Sequence, residues 1–270
     1  MKRPLYCLIL LLLWQGSAAA QDKSAILLGI NDGISVQQYF GDLQQKYQGL
    51  ASYLSRVLKK PVHFESSQTL GRAASNLGKM RYDLMFVKPS NVAAKAIRDD
   101  KYALVATCKG QLNTVFIVAK NSSIKKPEDI RGKRIAMPAP QSLMAQAAMA
   151  TLRDMGIDPA KQNIQHARLQ EAVVYMVAQG FADVGVVNPV LAKDWAKQGG
   201  TILFKSKNLP LWSVIASPSM SQDDVAKVRK ALVTLGDTEE GRKVLARIGV
   251  KGFILGNPDD YVNMLTWMHK

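Results

Sequence analysis

The polar residues best placed for ligand chemistry stand in turns that follow strand-like runs. In the segment 137–142, Gln141 and Ser142 come between a predicted strand and the helical stretch from Leu143 to Met155. A helix start offers unpaired backbone N–H groups and the positive end of the helix dipole, which together favour a bound oxyanion. Ser142 as a simple N-cap explains the same residues equally well, so both interpretations stay open at this turn.

Two further turns place a polar residue beside a proline at the end of an apolar run. They are Lys88-Pro89-Ser90-Asn91 and Asn188-Pro189. In open α/β sheets, ligands bind beyond the carboxyl ends of the strands, which predicts that both turns line a crevice. Lys88 then compensates the charge of an anion, or it is an ordinary solvated lysine. Asn188 donates to the same ligand or only caps its helix, and Trp212 either lines the crevice or belongs to the core.

Patterns typical of catalysis are missing around these turns. The sequence contains no G-x-S-x-G segment, no phosphate-binding P-loop and no zinc-ligand spacing. His63, His166 and His269 are far apart, and Cys108 is the only cysteine beyond the first twenty residues. We therefore expect a protein that is not an enzyme and that uses no metal and no cofactor, with Cys108 as a small buried hydrophobe.

Short strand-like runs alternate with amphipathic helical stretches along nearly the whole chain. This alternation predicts an α/β protein with mainly parallel strands. The predicted strands are 25–30, 62–65, 83–87, 103–107, 114–119, 134–137, 183–187, 202–204 and 212–216. No long linker divides the 270 residues, yet the chain exceeds the commonest size of one domain, so we expect two lobes joined by short crossings.

The first twenty residues and the net charge bear on where the protein works. Lys2 and Arg3 precede an apolar stretch from Leu5 to Trp14, and small residues follow up to Ala20. This pattern predicts a secretory signal peptide over residues 1–20, with an apolar stretch too short for a comfortable membrane span. The net charge of +15 suits an anionic ligand or a membrane surface, whereas an exported protein rarely meets nucleic acid.

Four stretches of the sequence resemble one known family. They are residues 49–62, 82–89, 127–136 and 231–261. In these stretches the chain resembles the phosphate-, phosphite- and phosphonate-binding (PhnD-like) periplasmic solute-binding proteins of ABC transporters. The resemblance implies the type II periplasmic binding protein fold, in which two α/β lobes linked by two hinge strands close on a solute. Lobe 1 then comprises residues 24–108 plus 212–270, and lobe 2 comprises residues 109–211.

The resemblance also implies roles for two residues. Thr114 matches a polar residue beside the hinge that faces the ligand, and Ser142 matches the first hydroxyl of a Ser/Thr-rich turn that holds the oxyanion. After Ser142, however, Leu143 and Met144 stand where the family has further hydroxyl residues. Two positions where aromatic residues are common near the ligand hold Leu70 and Val92. Either other donors replace the missing hydroxyl groups, namely Lys88, Asn91, Asn188 and backbone N–H groups, or the ligand is larger and less charged.

Together these observations predict an exported, periplasmic solute-binding component of an ABC transporter. It captures a small anionic ligand of the phosphate, phosphite or phosphonate kind between its lobes and presents it to a permease in the inner membrane. The predicted ligand-binding residues are Lys88, Ser90, Asn91, Thr114, Gln141, Ser142, Asn188 and Trp212. The family resemblance implies a monomer, and export argues against a nucleic-acid partner. A sensor module that delivers its closed state to a receptor or histidine kinase is the alternative.

Overall fold

The described part of the protein contains two separate β-sheets with helices around each. The structure is a computed structural model that describes residues 24–32, 40–67 and 69–270. The predicted signal peptide, residues 1–20, lies outside the described residues. None of the described helices combines the length and the apolar character that a membrane span requires.

The first sheet has six strands, drawn from both ends of the described chain. In order across the sheet they are β11 (Phe253–Ile254), β4 (Ala103–Cys108), β10 (Ser213–Ala216), β3 (Leu84–Val87), β1 (Ile26–Asn31) and β2 (Val62–Ser66). The helices associated with it are α1 (Phe40–Leu58), α2 (Leu70–Gly78), α3 (Ser90–Asp99), α7 (Gln222–Val233), α8 (Glu239–Ile248) and α9 (Pro258–Met268).

The second sheet has five strands, all from the middle of the chain. Across the sheet they are β7 (Asn163–Ala167), β6 (Arg134–Pro138), β8 (Val184–Val187), β5 (Val115–Val118) and β9 (Thr201–Lys205). Its helices are α4 (Leu143–Asp154), α5 (Gln170–Ala178) and α6 (Pro189–Lys197). Short 3-10 helices over Pro127–Ile130, Pro159–Lys161 and Leu235–Asp237 complete the regular structure.

The nine strands predicted from the sequence are present, but the prediction of mainly parallel pairing is wrong. Among the described strands, four pairings are parallel and five are antiparallel. A strand–helix–strand crossover produces parallel neighbours, whereas β5 and β10 are each reached directly from the other sheet without an intervening helix. These two strands therefore enter antiparallel to both of their neighbours.

Two short segments carry the chain between the sheets. The first crossing, residues 109–114, leads from β4 to β5, and the second crossing, residues 206–212, leads from β9 back to β10. They run side by side, because the Leu209 amide donates to the Leu112 carbonyl at 2.8 Å and the two residues form an isolated β-bridge. That the sheets belong to separate lobes, divided as 24–108 plus 212–270 and 109–211, stays a prediction.

The apolar core has three parts: one confined to the first sheet, one confined to the second sheet and including Ile117 and Val173, and one that continues between the sheets. On one face of the first sheet, α1, α7 and α8 cover a core that includes Tyr47 and Phe86. On the other face, α3 and α9 share a cluster with α4 of the second sheet, so that Val92, Met144 and Leu265 belong to one buried group. Helix α9 thus contacts elements that belong to both sheets.

Candidate ligand-binding cleft

One edge of each sheet faces the crossings, and the pairing of the strands shows which residues stand there. In the first sheet, Asn31 pairs with Val87, and Val87 pairs with Ser213. The ends of β1 and β3 and the start of β10 therefore lie side by side. The residues immediately beyond this edge are Asp32, Lys88 and Trp212.

The second sheet presents a matching edge. Val115 pairs with Val187 and with Lys205, and the parallel strands β6 and β8 end at the same side. Thr114, the turn before α4 and the turn before α6 therefore stand together at this edge. Because both edges adjoin the same two crossings, they face each other, and we call the region between them the cleft. The eight predicted ligand-binding residues are distributed over these two edges, four on each.

Lys88 does not stand alone at the first edge. Its ammonium group contacts the Asp32 carboxylate, which also accepts hydrogen bonds from Lys46 Nζ and Tyr47 Oη, each at 2.5 Å. Only 14% of the Lys88 side chain and 10% of the Asp32 side chain are exposed, so the prediction of a solvated surface lysine does not fit. We call Asp32, Lys46, Tyr47 and Lys88 the lysine–aspartate cluster.

Burial and charge act in opposite directions on the groups of this cluster. Burial lowers the pKa of Lys88, and the neighbouring Asp32 carboxylate offsets only part of that effect. Burial alone raises the pKa of Asp32, but the Lys88 charge and the hydrogen bonds from Lys46, Lys88 and Tyr47 outweigh it and hold the pKa below its usual value. Burial also raises the pKa of Tyr47, which keeps its hydroxyl protonated as a donor.

Trp212 lies between cleft and core. The ring contacts the core of the first sheet, and the Lys88 ammonium lies 4.6 Å from the centre of a Trp212 ring. A cation over an aromatic face is attracted to its π-electrons, so Trp212 helps to fix the position of Lys88. Both interpretations of this residue from the sequence thus describe part of its environment.

Ser90 and Asn91, at the start of α3, are buried and bonded to other parts of the chain. The Ser90 hydroxyl donates to the Pro210 carbonyl in the second crossing at 2.6 Å. Asn91 Nδ2 donates across the cleft to Gln146 Oε1 at 2.8 Å and to the Gln141 carbonyl at 3.2 Å. These bonds tie the first sheet to a crossing and to the start of α4.

Ser142 and Asn188 both act as helix N-caps. Ser142 Oγ accepts from the Ala145 amide at 3.2 Å, and Asn188 Oδ1 accepts from the Val190 and Leu191 amides at 2.9 and 3.0 Å. The capping interpretation therefore holds for both. It leaves the Ser142 O–H and the Asn188 amide hydrogens as the groups with which these residues can still donate to a ligand.

Thr114 and Gln141 complete the second edge. Thr114 is fully buried, and its hydroxyl donates to the Met144 carbonyl at 3.2 Å, while its amide donates to Ser206 Oγ at 2.9 Å. Gln141 is exposed and lines a groove of about 690 Å³ between α2, α3, the start of α4 and the end of α9. Leu70 and Val92, both buried, also line this groove.

Four residues at the cleft were not predicted from the sequence. They are Asp32, Lys46, Tyr47 and Gln146. Asp32 was within reach of the same reasoning, since it directly follows β1 as Lys88 follows β3. Lys46 and Tyr47 stand within α1, where spacing alone does not separate a cleft residue from a surface residue. In the described part of the chain, no cluster of three or more His, Cys, Asp or Glu side chains is suited to a metal ion.

Two α/β sheets joined by adjacent crossings, with helix starts and a buried lysine–aspartate cluster at the facing edges, define a solute-binding protein of the type II periplasmic fold. The family model described as "ABC transporter, phosphonate, periplasmic substrate-binding protein" matches residues 33–261. The chain therefore belongs to this family of periplasmic ABC-transporter binding proteins. The resemblance, the fold and the role predicted from the sequence are confirmed. A sequence comparison with curated proteins found no match.

Solved structures of low sequence identity have the same fold. XAC2383 from Xanthomonas citri, bound to ATP, has a TM-score of 0.77 and 15% identity over 92% of this chain and 98% of its own. PhnD1 from Prochlorococcus marinus, in complex with methylphosphonate, has a TM-score of 0.72 and 14% identity over 91% and 97%. The aliphatic sulphonate binding protein SsuA from Escherichia coli has a TM-score of 0.62 and 13% identity over 91% and 84%.

Proposed function

We propose that this chain captures a small phosphorus or sulfur oxyanion in the cleft between its two sheets and delivers it to an ABC permease in the inner membrane. The observation that carries this proposal is the convergence of α3, α4 and α6, whose first turns lie at the two facing edges beside the lysine–aspartate cluster. Helix starts and buried lysines both favour an anion, and the cleft combines them.

Relatives of the same fold support an oxyanion of this kind. PhnD1 is in complex with methylphosphonate, and SsuA is named for binding aliphatic sulphonates. XAC2383 is bound to ATP, a phosphate-containing ligand of much larger size. The groove of about 690 Å³ beside Leu70 and Val92 leaves room for an organic substituent larger than methyl.

Capture requires the cleft to open, because several polar groups are bonded inside the protein. The Asn91 bonds to Gln146 and to the Gln141 carbonyl join the two edges directly. Bending at the crossings breaks these bonds and exposes the helix starts. A ligand that contacts both edges then favours the closed arrangement, which is the state a permease recognises.

The experiment is a thermal-shift screen of residues 21–270 after removal of any ligand carried through purification. The panel contains phosphate, phosphite, methylphosphonate, sulfate, methanesulfonate and larger phosphonates, with arginine and glucose as controls. A ligand at about 100 times its Kd adds roughly 2.7 kcal/mol to the free energy of unfolding. Stabilisation by one or more oxyanions supports the proposal, and stabilisation by the controls alone contradicts it.

Finer parts of the proposal concern export, assembly and chemistry. Residues 1–20 act as a cleaved signal peptide, the exported protein is a monomer without a nucleic-acid partner, and the bound ligand is released unchanged. N-terminal sequencing of periplasmic protein tests the cleavage. Light scattering tests the monomer, and the mass of the released ligand tests whether it is unchanged. An intact Met1, a dimer or a ligand of altered mass contradicts the respective point. Family membership favours the transporter role over the sensor alternative.

A further inference from the structure

The lysine–aspartate cluster carries a definite charge at the edge of the cleft. Among the described residues, the charged groups that act on the Lys88 amine are Asp32 and Lys46. Two ammonium groups and one carboxylate leave the cluster with one positive charge, and the side chains of Asp32, Lys88 and Lys46 are 10%, 14% and 20% exposed. Water therefore screens this charge only weakly.

Asp32 reduces the positive charge that the two lysines present to a ligand in the cleft. It lies beyond the end of β1, next to the end of β3 that carries Lys88, and so it faces the same cleft. Both lysines contact its carboxylate, and Tyr47 donates to it as well. An anion in the cleft meets the attraction of two lysines and the repulsion of Asp32, and both grow in proportion to its charge. The cost of removing the anion from water grows with the square of that charge, so one net positive charge offsets the desolvation of a singly charged anion better than that of a doubly charged one.

Other lysines near the cleft do little to stabilise a second negative charge on a bound anion. Lys109 and Lys205, beside the two crossings, are exposed, so solvent and salt weaken their effect. Lys207 in the second crossing is exposed too, and its ammonium lies 4.0 Å from the centre of a Trp267 ring. Among the described residues, the buried charge at the cleft is therefore that of the lysine–aspartate cluster.

We propose that Asp32 is a specificity-determining residue that makes the cleft prefer singly charged oxyanions to doubly charged ones. This inference rests on the proposed function, because it concerns the ligand of the same cleft. The preferred ligand class is a tetrahedral phosphorus or sulfur oxyanion with one negative charge, such as a sulfonate, a phosphinate or a phosphonate monoester.

Two sulfur anions of fixed charge near neutral pH test the inference. Calorimetric titration of residues 21–270 at constant ionic strength compares methanesulfonate, with one negative charge, and sulfate, with two. The wild-type chain is expected to bind methanesulfonate at least about tenfold more tightly than sulfate. In Asp32→Asn, this preference falls at least about fivefold, because sulfate gains more than methanesulfonate from the loss of the carboxylate.

A matched control separates the local effect from a change in total charge. Asp224 in α7 is also buried and paired with a lysine, Lys60, at 2.8 Å, but it lies away from the cleft. Asp224→Asn is expected to leave the preference unchanged. If Asp32→Asn does not fold, Lys46→Gln serves instead, since it lowers the cluster charge and is expected to raise the preference for methanesulfonate.

The possible results distinguish the inference from the proposed function. The inference is overturned if the wild-type chain binds the two anions equally or binds sulfate more tightly. It is also overturned if neither Asp32→Asn nor Lys46→Gln alters the preference. Failure of both sulfur anions to bind overturns it as well. Methylphosphonate, titrated separately, decides the proposed function: its binding preserves that function in each of these cases.

Discussion

Two side chains at the cleft stabilise helix starts and, in the proposed function, also donate to the ligand. Ser142 and Asn188 cap α4 and α6 while their remaining hydrogens stay available for a ligand. We therefore expect the loss of either side chain to have two separable effects, one on stability and one on affinity.

We expect Ser142→Ala and Asn188→Ala each to weaken binding of the best oxyanion by about 1 to 3 kcal/mol, because each loses a donor to a buried ligand. Each also loses about 1 kcal/mol of stability with the cap. Calorimetric titration and urea unfolding measure the two effects.

Caps of the same types away from the cleft provide the controls for these variants. Ser221 caps α7, and Asn257 caps α9 directly before a proline, as Asn188 does for α6. Ser221→Ala and Asn257→Ala are expected to lose stability but keep their affinity. Unchanged affinity in Ser142→Ala and Asn188→Ala as well would leave both residues as caps only.

Acid stability depends on carboxylates whose pKa values are lowered in the folded protein. Hydrogen bonds from Arg134 lower the pKa of Asp183, with N–O distances of 2.7 to 3.1 Å, including the bond from the Arg134 backbone amide. A folded pKa below the unfolded value of 3.8 stabilises the protein above that value, and this contribution disappears as the pH falls through the folded pKa.

We therefore expect the free energy of unfolding to fall as the pH drops below about 4, and to fall less steeply in Asp183→Asn. Urea unfolding at a series of acid pH values measures this dependence. Asp42→Asn, an exposed position in the first turn of α1, is the control. An Asp183→Asn profile parallel to that of the wild-type chain would contradict the expectation.

The residues at the two edges were predictable from the sequence, but their hydrogen-bond partners were not. Helix caps are local, so Ser142 and Asn188 were recognisable from a few neighbouring residues. The partner of Ser90 is 120 residues away along the chain, and that of Asn91 is 55 residues away. No local sequence pattern predicts such distant contacts, so the hydrogen bonds of Ser90 and Asn91 are known only from the structure.

At the scale of elements, α9 connects the two sheets. Trp267 Nε1 donates to Asp154 Oδ2 at 2.7 Å, and the Arg153 guanidinium donates to the Trp267 and Met268 carbonyls at 3.0 and 2.9 Å. At its other end, the Tyr261 hydroxyl donates to the Leu211 carbonyl in the second crossing at 2.6 Å. An arginine at the end of α4 thus satisfies the last carbonyls of α9.

We expect Arg153→Met to lower the free energy of unfolding by about 1 to 3 kcal/mol, since the α9 carbonyls lose charge-assisted hydrogen bonds. The matched control is Arg242→Met, because Arg242 also donates to two carbonyls but only to nearby residues, Gly236 and Asp237. Urea unfolding of both variants compares them. Equal losses of unfolding free energy in the two variants would show that the contact between α4 and α9 stabilises the protein no more than a local contact does.

The elements themselves were largely predictable, and the exceptions have simple causes. Apolar runs bounded by turns marked nine strands. The strand β7 has the sequence Asn-Ile-Gln-His-Ala and lies at the edge of its sheet, so it lacks the apolar alternation that identifies a strand. The strand β11 has two residues, too few for any periodic pattern.

At the scale of the whole molecule, a continuous core couples the two sheets. The buried cluster on the α9 side includes Val87 and Leu104 of the first sheet and Phe116 and Met137 of the second. Loss of packing in one sheet therefore exposes apolar surface of the other.

This coupling predicts a single unfolding transition for residues 21–270. Differential scanning calorimetry is expected to show one peak whose calorimetric and van't Hoff enthalpies agree, and a bound oxyanion shifts that peak as a unit. Two resolved peaks would show that the sheets unfold independently.

The contact between Lys88 and Trp212 gives the protein a natural optical reporter. The emission of an indole responds to a nearby charge, and a protonated amine lies 4.6 Å from the centre of this ring. The other described indoles, Trp195 and Trp267, are hydrogen-bonded to Val118 and Asp154. A solute that draws Lys88 away from Trp212 therefore changes the fluorescence of one ring at the cleft, so occupancy can be followed in solution without attaching a dye.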